Sequence, residues 1–498
     1  TVSGSTNEVQ RFRIENPELW TPENPKLYDL ALTVRCGSWS DTVGRRVGFK
    51  KAEFREDGFY LNGKKRKLHG VNYHQEREGL GWALTEKEIA EDLDLIKAMG
   101  ADAMRGTHYP HSRTCYDLCD RKGLLCWVEI PASSLVHTNA LYRERLRETT
   151  REIVAQNRNH PSLLMWSLFN ELYSVWDGHV MPAGTGETVV RELQDLVHGL
   201  DPAHPTVCAS AYIDRTELNG ITDLYAFNTY PGWYWSGRNS KSDDIPDLIA
   251  RQVATSGCGK KTIGIGEYGG GGSVFHHENP LVNRPVPRSR FHPEEAETEI
   301  HVTEYGHIRR DARLWGSFIW MMFDTASDNR DEGDHDGIND KGLVTHDHKT
   351  PKDAYFFYKA NWNPEPMVHV CSKRMTTTEG DRVTVRGFSN VGEVALVVNG
   401  VRIGTQAPDE VRTVCWKDVP VSAGDNRIEL RAGGLTDVWT LTRRTPGCTA
   451  GWENLPDVAR EFPETDVVWR FSDLRDGDWR VELREGAAGV VEIRDGTV

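Results

Sequence analysis

Residues 67–109 read KLHGVNYHQEREGLGWALTEKEIAEDLDLIKAMGADAMRGTHY, and the fold can be argued outward from this stretch. The runs Lys67–His74 and Ala103–Tyr109 are short and largely apolar, which is typical of buried strands. Between them, Thr85–Met99 repeats apolar residues at helical spacing. A strand, a helix and a second strand of these lengths predict one parallel βαβ unit.

The helix in this unit has its own start and stop signals. Thr85 and Glu88 form a capping box, in which each side chain bonds the other residue's backbone amide. Gly100 follows the last apolar position and is suited to the left-handed conformation that ends many helices. The apolar residues Ile89, Leu93 and Ile96 fall on one face.

The same alternation continues along the chain. Further helical patterns cover roughly 142–157 and 294–313. Eight strand-like runs can be counted: Lys67–His74, Ala103–Tyr109, Leu124–Ile130, Leu163–Glu171, Thr206–Tyr212, Leu224–Tyr230, Thr262–Tyr268 and Leu314–Asp324. Eight strands with crossovers over about 300 residues predict a (β/α)₈ barrel, whose functional residues lie at the C-terminal strand ends.

Polar side chains stand where these runs end, and we expect them to meet at one barrel mouth. They are His74, Arg105 with His108, Glu129, Asn170 with Glu171, Tyr212, Asn228 with Tyr230, Glu267, and Trp320 with Asp324.

The predicted barrel covers residues 55–365, and the sequence on either side of it has a different hydrophobic pattern. Residues 1–54 carry short strands and are interpreted as the C-terminal part of an immunoglobulin-like sandwich. Residues 366–445 alternate in the strand sense and predict a second sandwich, with a hairpin at Asn399-Gly400. Its inward positions are predicted to be Val383, Val385, Val394, Leu396, Val398, Ile403, Ile428 and Leu430. Residues 446–498 are a β-rich tail or the start of a further domain.

Composition excludes several classes of function. The formal charge of −14 repels nucleic acid and anionic lipid surfaces, and no apolar run is long enough to span a membrane. Nine scattered cysteines make a poor disulfide framework. A neutral substrate fits this balance, although a local basic pocket could hold an anion. The compartment and a homo-oligomeric state are left open.

Glu171 and Glu267 are the candidate catalytic pair. They end the fourth and seventh runs, which lie on opposite sides of an eight-stranded ring. Retaining glycosidases need two carboxyl groups about 5 Å apart, one as nucleophile and one as acid/base. Apolar neighbours of Glu171 (Trp166, Leu168, Phe169) favour a protonated acid, whereas Tyr230 is placed to keep Glu267 ionised.

These motifs resemble glycoside hydrolase family 2, from about Asn16 to Pro366. The segments carrying the resemblance are PELWTPENPKLYDL, LHGVNYHQE, ADAMRGTHYPHSRTCYDLCDRKGLL, RNHPSLLMWSLFNE, TIGIGEYG and GSFIWMMFD. The resemblance implies that Glu171 is the acid/base and Glu267 the nucleophile. It also implies that His74, Arg105, His108, Asn170, Tyr230 and Trp320 line the sugar subsite; Asn228 joins them from its strand end.

The sugar is the harder choice. Segments such as EYGGGGSVFHHENP look most like the β-galactosidase branch, so the expected substrate is a terminal β-galactoside of an oligosaccharide or glycoconjugate. Against this, Asn339-Asp340-Lys341 resembles the element with which β-glucuronidases grip the sugar carboxylate. Acidic neighbours (Asp334, Asp336, Asp340) could instead neutralise Lys341. A β-glucuronidase or β-galacturonidase is the alternative, and a non-catalytic carbohydrate-binding protein the third candidate.

No required metal or cofactor is predicted, and a structural magnesium, sodium or calcium ion is left open. The acidic stretch Asp328–Asp340 does not fit the EF-hand spacing. The sequence His276-His277-Glu278 is the other candidate for a divalent ion. The aromatic run Trp233-Tyr234-Trp235 is expected to line the aglycone side of the site or a subunit contact.

Overall fold

The computed structural model describes residues 9, 11, 13–173, 175–176, 178–234, 241–255, 262–282 and 285–444, with three short strands beyond them. The sequence analysis made predictions for Trp235 and for residues 446–498. Trp235 and most of residues 446–498 lie outside the described residues. Residues up to 443 form one compact unit.

Eight parallel strands close into a barrel, each hydrogen-bonded to the next along the chain and the last to the first. The predicted fold class is thereby confirmed. The barrel strands, here called the first to the eighth, are Leu68–Tyr73, Ala103–Gly106, Leu125–Glu129, Leu163–Asn170, Thr206–Ser210, Leu224–Asn228, Ile263–Tyr268 and Leu314–Ile319.

Helices surround this barrel. They are Glu86–Met99, Arg113–Lys122, Ala140–Asn157, Thr185–Leu200, Thr216–Asn219, Ile245–Thr255, Glu294–Ile308 and Asp353–Trp362, with a 3₁₀ turn at Ser242–Asp244. The helix Glu86–Met99 has the predicted capping box of Thr85 and Glu88, and Gly100 ends it with φ of 98°.

The eighth strand is shorter than the predicted run, which extended to Asp324. After Ile319 the amides of Trp320 and Met322 still donate to the neighbouring barrel strands, at the carbonyls of Tyr268 and Asn72. The amide of Met321 between them donates instead to the carbonyl of Lys341. The segment therefore continues along the barrel without regular strand pairing and bonds the later loop that contains Lys341.

The core has two main layers around the barrel. Large side chains fill its interior, including Trp127, Met165, Trp315 and Phe318, and Trp20, Phe59 and Leu61 cover their lower end. A larger cluster packs the strands against the helices. The interior is thus closed at one end by apolar residues, and polar groups collect at the other.

Two sheets of the second sandwich follow the barrel. One contains Val368–Val370, Arg382–Ser389 and Thr413–Pro420. The other contains Thr377–Thr378, Leu435–Arg443, Gly424–Ala432, Val394–Val398 and Val401–Gln406. Seven of the predicted inward residues are buried, but Ile403 is 42% exposed. It lies on the outermost strand, at the register shift between the pairs Leu396/Gly404 and Val397/Arg402, so the prediction for Ile403 was wrong.

Smaller strands complete the described elements. A hairpin of Tyr28–Cys36 and Trp39–Val47 precedes a sheet of Ala52–Arg55, Gly58–Leu61 and Lys64–Arg66. Loops above the barrel carry the hairpins Val175–Trp176/His179–Val180 and Thr325–Glu332/His335–Asn339. The strands Trp469–Arg470, Trp479–Glu482 and Glu492–Asp495 pair in a separate sheet. Among the described helices, none has the length and apolar character needed to cross a bilayer.

Candidate active site

Glu267 lies buried at the end of the seventh barrel strand and is held from two sides. Arg105 Nη1 donates to its Oε1 at 2.9 Å, and the Tyr230 hydroxyl donates to its Oε2 at 2.5 Å. Burial raises the pKa of Glu267 above its ordinary value; the Arg105 charge opposes this shift, and the Glu171 charge adds to it. The expected Tyr230 hydrogen bond to Glu267 is thus present.

Arg105 on the second strand is fully buried and bonds residues of four other strands, the first, third, fourth and seventh. Besides Glu267, its guanidinium donates to Oε1 of Glu129 at 2.6 Å and to Oδ1 of Asn170 at 2.8 Å. Charge-assisted bonds of this kind fix both position and ionisation. Burial alone would raise the pKa of Glu129, but Arg105 and His108 outweigh it and hold that pKa at about 2.

Glu171 follows the fourth strand and is only half-buried. Asn228 Nδ2 donates to its Oε1 at 2.8 Å, and the Tyr173 hydroxyl donates to its Oε2. Its backbone has φ of 43°, in the left-handed region that non-glycine residues rarely adopt and that is enriched at functional sites. Glu171 is therefore held in a strained backbone conformation and stays partly exposed to solvent.

The apolar neighbours of Glu171 do not desolvate it as expected. Trp166, Leu168 and Phe169 belong to the cluster between strands and helices, on the outer side of the barrel wall. Of the two carboxyl groups, it is Glu267 that is buried. The expected contrast in burial is therefore reversed.

A chain of amide side chains connects the two acids. Asn228 Nδ2 bonds both Glu171 and Oδ1 of Asn170, the latter at 3.1 Å, and Asn170 in turn accepts from Arg105. Each step is a direct hydrogen bond, so Glu171 and Glu267 share one network. Their charges also interact, since Glu171 contributes to the raised pKa of Glu267.

Aromatic side chains form a wall on the side of the first, second and eighth strands. The rings of His108 and Trp320 stack with centroids 5.3 Å apart, and His74 meets Trp320 edge to face at 5.5 Å. His108 Nδ1 lies 2.9 Å from Oε2 of Glu129, which orients the imidazole towards Glu267. An aromatic wall beside a few hydrogen-bonding groups is the usual lining of a small-molecule site.

Asn339 and Lys341 lie beside this network, and both are buried. Lys341 Nζ donates to Oδ1 of Asn339 at 2.8 Å and lies 5.1 Å from the ring centre of Tyr234. Tyr234 packs edge to face on Tyr230, the partner of Glu267. Lys341 is thus two side chains away from Glu267.

The acidic neighbours of Lys341 do not form the ion pairs that would neutralise it. Asp334 pairs with His335, Asp336 with Arg290, and Asp340 with His292. The carboxyl group recorded beside Lys341 is Glu332 at 3.8 Å, and Glu332 is closer to Arg330, at 3.0 Å.

Trp233 was expected to line the aglycone side of the site or a subunit contact, but it is fully buried against His292. Tyr234 is 41% exposed and can face a ligand. Two further residues of the site were not predicted as such. Glu129 was noted at a strand end, and its proximity to Arg105 follows because the two strands are adjacent. Tyr173 gave no sequence signal beyond its closeness to Glu171.

Within the described residues, two groups bring three ligand atoms close enough for a metal ion: Asp353, His369 and Cys371; and Asp117, Asp120 and His160. Each already has internal hydrogen bonds, from His369 to Asp353 and from His160 to Asp120. The candidate His276-His277-Glu278 is engaged as well, since His277 bonds Glu295 at 3.1 Å and His276 accepts from the His292 amide.

Two family models match the chain. The model described as "Glycosyl hydrolases family 2, TIM barrel domain" matches residues 52–365, and "Glycosyl hydrolases family 2" matches residues 1–50. The chain is 37% identical to a beta-glucuronidase of Bacteroides fragilis, over 86% of this chain and 61% of that protein. It is 26% identical to a beta-galactosidase of Thermoanaerobacterium thermosulfurigenes, over 73% and 47%. The chain spans about half to three fifths of the length of these curated relatives.

Solved structures agree in fold. An FMN-binding beta-glucuronidase from Facaelibacterium prausnitzii L2-6 superposes with a TM-score of 0.79 at 31% identity, covering 86% of this chain and 65% of that one. A calcium binding mutant of Bacteroides uniformis beta-glucuronidase 2 gives 0.75 at 28% identity, covering 86% and 52%. The match of the barrel model to well over half of the chain shows that the protein belongs to glycosyl hydrolase family 2.

Proposed function

We propose that the protein is a retaining exo-β-glucuronidase, which removes a terminal β-linked glucuronic acid from an oligosaccharide or glycoconjugate. Glu267 attacks the anomeric carbon while Glu171 protonates the departing oxygen; Glu171 then activates the water that releases the sugar. The observation that carries the choice of a uronic acid is the buried, incompletely paired ammonium of Lys341.

The carboxyl groups are suited to these tasks. Glu267 is buried and receives hydrogen bonds from Arg105 and Tyr230, which stabilise its ionised form for attack. Glu171 is half-exposed, so it can exchange protons with water between the two steps. Asn170, fixed by Arg105 and Asn228, is placed to bind the sugar's 2-hydroxyl, a contact that strengthens in the transition state.

Lys341 supports a carboxylate on the sugar. An ammonium has three N–H donors, and in the described part of the chain this one donates to a single acceptor, Asn339. The carboxylate of Glu332 lies 3.8 Å away but is closer to Arg330, at 3.0 Å, so the buried ammonium is only weakly paired. Burying a weakly paired cation is costly, and such a site favours an anionic ligand. The sugar carboxylate of a uronide would supply that anion.

The named relatives support the same choice. The proteins matching at 37% and 32% identity carry the names beta-glucuronidase and putative beta-glucuronidase. Beta-galactosidases match at 26%. We therefore prefer the uronide to the galactoside expected from the sequence, and keep β-galactosidase as the second candidate because both names occur among the relatives.

A panel of p-nitrophenyl β-glucuronide, β-galacturonide, β-galactoside and β-mannoside tests the sugar. Wild-type protein is expected to hydrolyse the glucuronide with the highest kcat/KM. Lys341→Ala should lower that kcat/KM by an amount equivalent to about 3–5 kcal/mol of transition-state binding, as when a buried charge loses its partner. The kcat/KM for the galactoside should fall far less. The exposed Lys349→Ala is the matched control. Preferred hydrolysis of the galactoside would replace the proposal with the second candidate.

The catalytic pair is tested by leaving-group dependence. Glu171→Gln should retain activity on aryl glycosides with good leaving groups, lose it on natural glycosides, and be rescued by azide, because only departure of a poor leaving group needs the acid. Glu267→Gln should abolish both turnover and labelling by a 2-fluoro glucuronide. Equal losses by Glu171→Gln on both substrate types would exclude Glu171 as the acid. Absence of labelling in active wild-type protein would exclude a glycosyl-enzyme.

A further inference from the structure

Lys352 is a fully buried lysine at the start of the helix Asp353–Trp362. Its Nζ donates three hydrogen bonds: to the carbonyl of Gly272 at 2.6 Å, to the carbonyl of Asp340 at 2.8 Å and to Oδ1 of Asp324 at 2.9 Å. All three donors of the ammonium are therefore used.

The three acceptors belong to three segments that each carry a residue of the site. Gly272 follows the strand that presents Glu267. Asp324 follows Trp320 and also accepts from the Gly342 amide at 2.8 Å. Asp340 immediately precedes Lys341. One ammonium thus connects the backbone beside the proposed nucleophile to the backbone beside the proposed uronate-binding lysine.

The segments also bond each other around Lys352. The amide of Gly272 donates to the carbonyl of Asp340 at 3.2 Å, and the amide of Met321 donates to the carbonyl of Lys341 at 2.8 Å. These two hydrogen bonds between neutral backbone groups also connect the segments. The hydrogen bonds from the Lys352 ammonium are charge-assisted, and such bonds are roughly twice as strong as neutral ones. Burial by itself lowers the pKa of Lys352, and the charges of Asp324 and Glu297 more than reverse this, so the ammonium stays charged.

We propose that Lys352 is a positioning residue for uronate recognition: by holding Gly272 and Asp340 together, it sets the place of the Lys341 ammonium relative to Glu267. This inference rests on the proposed glucuronidase function. Lys352 acts through Lys341, and a displacement of about 1 Å at such a distance from the chemistry can lower the rate about 100-fold.

A double-mutant cycle separates positioning from general stability. Lys352→Met should lower kcat/KM for p-nitrophenyl β-glucuronide by about 100-fold in the wild-type background. In the Lys341→Ala background the same substitution should cost less than about fivefold, because the residue it positions is gone. Because the galactoside has no carboxylate, Lys352→Met should lower kcat/KM for p-nitrophenyl β-galactoside to a similarly small extent. Equal losses in both backgrounds would overturn the proposal.

Lys67→Met is the matched control. Lys67 also donates to backbone carbonyls, those of Ile308 at 3.0 Å and Asp311 at 2.6 Å, but it stands at the opposite end of the barrel. This variant should lose thermal stability without changing the ratio of glucuronide to galactoside activity. If Lys67→Met changed this ratio as much as Lys352→Met does, the change would reflect lost stability in both variants and would overturn the positioning role.

Hydrogen exchange measured by mass spectrometry gives a result that does not depend on the substrate. Lys352→Met should speed exchange in residues 269–273 and 339–343, whereas Lys67→Met should not. If wild-type protein fails to hydrolyse any glucuronide, the proposed function is refuted, and this exchange result alone decides whether Lys352 positions the loops. Unchanged exchange would overturn the positioning role. If Lys352→Met is insoluble, Lys352→Gln replaces it; insolubility of both would show a folding role and also overturn the proposal.

Discussion

At the scale of single residues, the two carboxyl groups differ in burial and in partners. Glu267 is buried with a cation and a phenol as donors, and Glu171 is half-exposed with Asn228 and Tyr173. Burial raises the pKa of Glu267, and the Arg105 charge and the Tyr230 hydrogen bond limit the rise. The ionisation of the proposed nucleophile therefore depends on individual donors.

Tyr230→Phe should shift the acidic limb of the kcat/KM profile to higher pH. The hydrogen bond from Tyr230 lowers the pKa of Glu267, so its loss raises that pKa, and the proposed nucleophile becomes protonated at a higher pH. Loss of a hydrogen bond to a charged group should also lower kcat/KM at neutral pH by about 10- to 100-fold. The control is Tyr225→Phe, on the sixth barrel strand that precedes Tyr230, which loses a buried hydrogen bond to Gln252. An unshifted limb with Tyr230→Phe would show that the limb reports another group.

At the scale of elements, the sequence predicts the barrel well because its strands are buried on both faces. Such strands read as continuous apolar runs, and each of the eight runs contains one barrel strand. The strand ends then place Arg105, Asn170 and Glu267 without further information. The capping box at Thr85 could also be predicted, because both of its residues lie within one helical turn of the sequence.

What the sequence did not reveal are contacts made by irregular segments. Trp233 lies in a loop without periodicity, and nothing nearby shows that His292, 59 positions further along, covers it. Lys352 gives no local signal, because its three acceptors come from distant parts of the chain. The prediction for Ile403 was wrong for a different reason: a register shift in an edge strand turns this apolar position outward.

Thr85→Ala should destabilise the helix Glu86–Met99 without changing the site. Thr85 caps the helix, and loss of such a cap costs about 0.5–2 kcal/mol of unfolding free energy. Urea unfolding followed by circular dichroism would measure it, with kcat/KM unchanged. Lys87→Ala in the same turn is the control, since its ion pair with Glu91 is exposed and should contribute less than about 1 kcal/mol. Equal effects of both substitutions would contradict the capping role.

At the scale of the whole molecule, the barrel and the second sandwich share a buried charged junction. Arg374 of the sandwich region bonds both Glu294 and Asp353, at the starts of two barrel helices. His369, on a sandwich strand, donates to Asp353 at 2.9 Å. Burial raises the pKa of Glu294 to about 7; the charge of Asp353 adds to this and Arg374 opposes it. We expect the two domains to unfold together because neither can leave these groups unpaired.

Arg374→Met should therefore destabilise the protein, and more so at pH 8 than at pH 5. A carboxyl group whose folded-state pKa is raised contributes stability below its unfolded pKa and loses it as the pH rises through the folded value. Without Arg374 the pKa of Glu294 rises further, so the deficit grows over this range towards about 3–5 kcal/mol of unfolding free energy. Arg386→Met is the control: Arg386 also crosses the junction, but its partner Glu299 is 47% exposed, so its deficit should stay small. A deficit for Arg374→Met that is constant with pH, or larger at pH 5, would show that Glu294 does not carry the charge linking the two domains.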